Sequence, residues 1–163
     1  MISKTMQDAI NQQINKEMYS SYLYLSMAAY FQDKGLGGFA HWMQLQAGEE
    51  NQHAMKFFDF LVNRSGRVSL AAIAAPQTEW KSSLEAFQQA FGHEQMISAS
   101  IAALYELAQT EKDYPTQILL QWFISEQVEE EKNAADIIHQ LEMIDAHGTA
   151  VLMLDKQLGK RGG

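Results

Sequence analysis

The chain has 163 residues, a formal net charge of −8 and no cysteine, so it is long enough to bury a core without staples and has no disulfide, no thiolate metal site and no Cys-attached haem. The acid excess and the lack of a cationic face argue against nucleic acid as a partner and favour cations. No uncharged apolar run is long enough to span a membrane, and Lys4, Asp8, Lys16 and Glu17 interrupt the region that a signal peptide keeps apolar; the expectation is a cytoplasmic protein with no membrane partner and a single domain over 1–163.

Helix one is predicted over about 3–33. Ser3 is placed to cap it, and the inward stripe runs through Met6 or Ile10, Ile14, Glu17, Ser21, Tyr24, Ala28 and Phe31. Asp33-Lys34-Gly35 ends it, and the second helix, about 38–64, follows so closely that the two must be antiparallel neighbours. The second stripe reads Phe39, Met43, Gln46, Glu50, His53, Phe57 and Phe60. Glu50 and His53, three apart, project side by side from one face in the middle of it. An unpaired carboxylate is costly to bury, so Glu50 must be protonated, paired or bound to a cation.

Arg64-Ser65-Gly66-Arg67 breaks the second helix, and the stretch to about Lys81 carries Pro76 and no helical amphipathicity. About 17 extended residues reach roughly 56–61 Å, more than the roughly 40 Å length of the preceding helix, so the link can cross the bundle and set helix three parallel to helix two. Ser82-Ser83-Leu84-Glu85 forms a capping box for helix three, about 83–112, with Leu84, Phe87, Phe91, Glu94, Ser98, Ile101, Tyr105 and Ala108 inward. Asp113-Tyr114-Pro115 turns into helix four, about 114–146, whose stripe is Leu120, Phe123, Gln127, Glu130, Ala134, Ile137, Leu141 and Ile144. His147-Gly148 ends that helix, and a short apolar fifth helix, about 149–158, precedes Gly159 and a basic, glycine-rich tail. The expected fold class is all-α: a four-helix bundle with a long crossover between helices two and three and a short fifth helix.

Each of the four long helices carries ionisable residues in mid-stripe. Glu17 lies 18 residues before Gly35, with Glu50 and His53 15 and 18 after it; Glu94 lies 19 before Asp113, with Gln127 and Glu130 14 and 17 after it. At about 1.5 Å per residue all are roughly 21–29 Å from their turns and can converge on one level. The competing reading places these glutamates at stripe edges, reaching solvent. If buried together without cations they would repel and resist ionisation, whereas two divalent ions balance four charges. Four carboxylates with one imidazole suit an oxygen-favouring pair such as iron or manganese and do not suit a closed zinc site.

Helices carrying Glu, Glu-x-x-His, Glu and a fourth acidic contribution resemble the ferritin-like di-iron carboxylate proteins. Gln127 and Glu130 stand where many relatives have a second Glu-x-x-His. That departure, with Tyr19-Ser20-Ser21, His93-Glu94-Gln95 and Ser125-Glu126-Gln127-Val128-Glu129-Glu130-Glu131, is similar to the non-haem ferritins, bacterial members in particular, over Ser3 to about Leu158. The resemblance implies one iron on Glu17, Glu50 and His53 and a second on Glu94, Glu130 and bridging Glu50, with Gln127 beside the pair. It implies a third iron position at Glu49, Glu126 and Glu129, residues that equally read as a solvated acidic face. It sets Tyr24 and Trp122 near the centre, where both equally read as core. Asn51 stands where haem-binding relatives have a methionine ligand, so no haem is expected. His41, His93, His139 and His147 have no carboxylate partner at the convergent level and are assigned structural or surface roles.

By the same resemblance the chain stores and detoxifies iron as a ferroxidase, with Glu17, Glu50, His53, Glu94, Glu130, Gln127 and Tyr24 as the working residues. Fe(II) meets dioxygen or hydrogen peroxide, and the Fe(III) product passes to a ferric oxyhydroxide mineral inside a homo-oligomeric shell, a 24-mer. Iron is then substrate as much as cofactor. The apolar run Ala150-Val151-Leu152-Met153-Leu154 is too hydrophobic to stand free and is expected at the four-fold axes of such a shell. The rival enzyme is a rubrerythrin-like di-iron peroxidase or oxygenase, against which the absence of cysteine counts; the others are a DNA-binding mini-ferritin, which lacks its basic arm here, and a metal-free helical interaction protein.

Overall fold

A computed structural model describes residues 1–144 and 148–162. Its helices are α1 (Lys4–Asp33), α2 (Gly37–Asn63), α3 (Ser83–Thr110), α4 (Tyr114–Ile144) and α5 (Gly148–Leu158), and among the described residues there is no strand. The all-α class, the crossover and the fifth helix are as expected; His147 and the last expected residues of helix four, 145 and 146, lie outside the described residues. Among the described residues no helix is long and apolar enough to cross a membrane.

Local chemistry sets the helix ends. Ser3 accepts a hydrogen bond from the Met6 amide at 3.0 Å, and Ser82 does the same for Glu85 at 3.1 Å, so two N-termini are closed by their own hydroxyls. α1, α2 and α3 each end in a 6→1 bond, Leu36 to Phe31, Gly66 to Leu61 and Asp113 to Ala108, with Gly35, Ser65 and Lys112 in the left-handed region. This is the geometry of a Schellman stop. Only the first of the three uses the glycine that favours it.

The direction of each helix follows from its partners. Short turns make α1 and α2, and α3 and α4, antiparallel pairs. Along α1 the contacts to α3 run Lys16 with Ser100, Ser20 with His93 and Phe31 with Phe87, so those two are antiparallel and α2 is parallel to α3. The crossover that permits this, residues 64–82, is fastened along the outside of α1. Gln7 accepts from the Arg67 amide at 2.8 Å, and Asn11 both accepts from the Ser69 amide and donates to the Arg67 carbonyl. Farther on, Asn15 donates to the Ala72 carbonyl and Ser26 to that of Gln77. Backbone groups that a loop would otherwise leave to water are thereby paired. Trp80 then plugs the segment into the core.

The core is split in two. One cluster, at the α1–α2 turn, joins Phe31, Phe39, Met43 and Phe87 to Leu154 and Leu158 of α5; the other, at the opposite end, joins Met6, Ile10, Phe57, Leu61, Ile101, Leu120 and Phe123. Between them lies a polar layer of Glu17, Ser20, Glu50, His53, His93, Glu94, Gln127 and Glu130, each less than a tenth exposed. The stripe of α4 is buried as read from the sequence up to Leu141; that of α3 holds at Phe87, Glu94, Ile101 and Ala108 but is turned in part, with Ala90, Ile97 and Leu104 buried and Phe91, Ser98 and Tyr105 only half so. α3 packs against α1 on one flank and α4 on the other, so its inward face is centred between the two candidate stripes. α5 lies against the start of α2 at Gly38, where an added Cβ would fall 1.7 Å from the Asp155 carbonyl oxygen, and the Asp155 carboxylate accepts from the Phe39 amide at 2.9 Å.

Candidate metal centre

Each carboxylate of the polar layer is brought in by a different helix and met there by an amide or hydroxyl. On α1 Gln13 donates to Glu17 Oε1 at 2.8 Å, and on α2 Gln46 lies 3.4 Å from Glu50 Oε1. In both cases the glutamine precedes the glutamate by four residues, one helical turn along the same face. Gln46 reaches across the bundle as well, its amide nitrogen 2.5 Å from Glu130 Oε2. From α4 Gln127 donates to both the carboxylate and the backbone carbonyl of Glu94, at 3.1 and 3.2 Å, and the Tyr24 hydroxyl donates to the same carboxylate in a short hydrogen bond.

These donors are too few to balance the charge. Burial, followed by repulsion from Glu50, raises the Glu17 carboxyl well above its ordinary value; Glu50 is also raised well above its own by burial and then by Glu94 and Glu130. Burial also lifts Glu94, and burial with the Glu94 charge pushes Glu130 up to about 7. The Tyr24 phenol is raised far above 10 by burial and by Glu94 and Glu50, so it stays a donor. Among the described residues, one buried side-chain polar atom has no hydrogen-bond partner: Glu17 Oε2. An orphaned acceptor in a layer of carboxyls costs about 1–3 kcal/mol and fits an atom whose partner is a cation.

Ligand atoms of Glu17, Glu50 and His53 lie within 4.8 Å of one another, and so do those of Glu50, Glu94 and Glu130. Glu50 belongs to both triads. A third group joins His53 and Glu130 to Glu126. The three residues expected to form a separate third position are not gathered: among the described residues, Glu49 and Glu129 enter no such group, and Glu49 is ion-paired at 2.6 Å with Arg161. His53 keeps Nδ1 3.3 Å from Glu50 and Nε2 3.9 Å from Glu126, and its ring meets Trp122 edge-on at 5.5 Å. Trp122 is 39 % exposed, a wall of the site with one side in solvent, whereas Tyr24 is fully buried.

The other described histidines stand apart. His93 is buried against Tyr19 and Tyr24, its Nε2 2.7 Å from the Ser20 hydroxyl, and burial lowers its pKa to about 4, so it is neutral. His41 lies 2.9 Å from the Arg161 carbonyl, and His139 is exposed. What sequence reasoning missed is Gln13 and Gln46 as site residues. Each is 1 % exposed, and the signal was the repeated Gln-x-x-x-Glu spacing on the first two helices.

Comparison with known proteins agrees with this architecture. The family described as ferritin-like domain matches residues 7–144. A bacterial non-heme ferritin of Bacteroides fragilis is 43 % identical over 161 residues, covering 99 % of this chain and all of the relative; another, of Campylobacter jejuni, is 37 % identical over 158 residues, 97 % and 95 % of the two chains. Among solved structures, an open pore ferritin from the hyperthermophilic archaeon Archaeoglobus fulgidus superposes with a TM-score of 0.98 at 50 % identity, covering 99 % of each chain. With matches that run the length of the chain and a fold that follows them helix for helix, this protein belongs to the ferritin family.

Proposed function

We propose that the chain stores iron and oxidises it on the way, taking up Fe(II) at a di-iron centre and passing Fe(III) to a ferric oxyhydroxide mineral inside a shell of like subunits. The observation that carries the reading is Glu50, one buried carboxylate shared by two oxygen-rich triads. Glu17, Glu50 and His53 hold one Fe(II); Glu50, Glu94 and Glu130 hold the other. Each Fe(II) gives up one electron, so the pair delivers two to one dioxygen, which leaves at the oxidation level of hydrogen peroxide, or two to one peroxide, which leaves as water.

The residues set the direction of that step. Anionic oxygen ligands gain more from Fe(III) than from Fe(II), which makes the bound Fe(II) a better reductant. Carboxyls held protonated by burial must lose those protons as iron binds, so uptake releases protons and weakens below neutral pH. Tyr24 and Gln127 keep Glu94 aligned, while Gln13 and Gln46 do so for Glu17, Glu50 and Glu130. With one imidazole between two ions the centre holds its product loosely, and iron behaves as substrate. Phenylalanines of the two core clusters pack on either side of the layer.

No haem takes part in this reading, and Asn51 lies on the exposed side of α2. The shell is a 24-mer in the cytoplasm. In support of assembly, Leu152 and Met153 are 60 % and 71 % exposed on α5 while Leu154 and Leu158 dock on α2, an apolar face that another subunit would cover. Anaerobic Fe(II) titration tests the centre: two ions per chain, one for each triad, followed on admitting oxygen by ferric absorbance, are expected. Absence of Fe(II) binding would refute the proposal.

A further inference from the structure

The basic tail after α5 has no part in the account above, yet Arg161 is tied at five points, four through its side chain and one through its backbone. Arg161 Nη2 lies 2.6 Å from Glu49 Oε2, and Nη1 donates to Gln46 Oε1 at 2.9 Å and to the Trp42 carbonyl at 3.4 Å. The guanidinium carbon sits 4.5 Å from the centre of the Trp42 ring, and the Arg161 carbonyl lies 2.9 Å from His41 Nε2. Holding a segment that reads Gly-Lys-Arg-Gly costs conformational entropy, and a half-exposed ion pair by itself returns little.

What these contacts do is orient one buried side chain. A guanidinium has only donors, so the Gln46 atom that faces it is the carboxamide oxygen. The amide nitrogen must then point into the bundle, where it lies 2.5 Å from Glu130 Oε2 and 3.4 Å from Glu50 Oε1. With the two glutamates ionised, as ligation requires, a flipped Gln46 would set its oxygen against both carboxylates and its NH2 against Arg161, three repulsive pairings in place of three attractive ones. The Glu49 ion pair and the Trp42 ring keep the guanidinium where it can impose that choice.

We propose that Arg161 is a positioning residue for the metal centre, acting through Gln46 to hold Glu50 and Glu130 in their ligating arrangement. The inference rests on the reading of those two glutamates as ligands. Its consequence is that the C-terminal tail, 115 positions beyond Gln46 in the sequence, tunes the affinity of the ion between Glu50, Glu94 and Glu130.

Anaerobic Co(II) titration of the full-length assembled protein, read by the visible d–d bands, tests it, with light scattering to confirm the shell. Wild type is expected to bind two Co(II) per chain. Arg161→Ala should weaken one of them about tenfold and shift its bands, the effect of losing one oriented hydrogen bond to a charged ligand. Gln46→Leu should do the same, and the double variant no more than either, because both changes act on one path. Arg161→Lys, a point charge that cannot fork between Glu49 and Gln46, should fall between wild type and Arg161→Ala. Wild-type affinity and bands in Arg161→Ala, or losses that multiply in the double variant, overturn the proposal. If the alanine variant does not assemble, Arg161→Lys decides: shifted bands uphold the proposal and unchanged bands overturn it. Failure of the underlying reading looks different, since wild type and Glu50→Ala would then alike bind no Co(II).

Discussion

Replacing Glu130 with glutamine should make the metal-free protein more stable, and by an amount that depends on pH. Burial and the Glu94 charge push the Glu130 carboxyl from an ordinary 4.5 up to about 7 in the folded chain. Below pH 4.5 the carboxyl is protonated whether the chain is folded or not, and it subtracts nothing. As pH rises from 4.5 to 7 the unfolded chain releases its proton while the folded chain retains it, so stability falls; above 7 the folded carboxyl ionises too and the loss is complete. A shift of that size corresponds to about 3 kcal/mol. The carboxamide introduced by Glu130→Gln would be uncharged throughout, and its oxygen can still accept from Gln46. At pH 8 the chelator-treated Glu130→Gln protein should therefore be about 3 kcal/mol more stable than wild type, about 6–12 °C in Tm for a chain of this length. At pH 5 the gap should shrink below about 1 kcal/mol. Calorimetry of both proteins at the two pH values, with the assembly checked by light scattering, reads it directly. A variant no more stable than wild type at pH 8, or an advantage unchanged at pH 5, would refute the electrostatic account of the centre.

Three further substitutions separate the ligands from the frame. Glu50→Ala, which opens both triads, should abolish the fast phase of Fe(II) oxidation in stopped-flow absorbance, whereas His53→Ala, which leaves the Glu50, Glu94 and Glu130 set whole, should chiefly weaken one ion; near wild-type rates in Glu50→Ala would contradict the shared-ligand reading. Gly38→Ala drives a methyl into the Asp155 backbone, so it should unseat α5, cost about 2–4 kcal/mol and reduce assembly by native mass spectrometry; an intact, equally stable shell would show that α5 is not docked as described.

The helices and their polar layer were legible because two periodicities coincide. Apolar spacing sets each inward face, and counting from Gly35 and Asp113 gives depth, so Glu17, Glu50, Glu94 and Glu130 were placed on one level without coordinates. The rest was hidden for physical reasons. α3 is flanked by two helices, and which of its overlapping stripes is buried depends on where those neighbours sit; hence the turn from Phe91, Ser98 and Tyr105 to Ala90, Ile97 and Leu104. Gln13 looks like an ordinary helix former and Gln46 like one more member of the inward stripe, and only the burial of their glutamate partners makes them matter. The pairing of Glu49 with Arg161 joins residues 112 positions apart, through a tail whose composition reads as loose.

The crossover between α2 and α3 also orders the way the chain acquires its ligands. It divides the bundle into two helical hairpins, each closed by a turn of a few residues, and local contacts of that kind form early, the N-terminal ones first as a chain leaves the ribosome. Glu17, Glu50 and His53 all belong to the first hairpin, complete by Asn63. Glu94 and Glu130 belong to the second and meet Glu50 only when the two hairpins dock. On the proposed assignment, the first hairpin alone carries one whole triad, and Glu50 meets the second pair of acids only afterwards. The proposed iron site is thus split between two folding units, one triad local to the first hairpin and the other made only where the two hairpins meet.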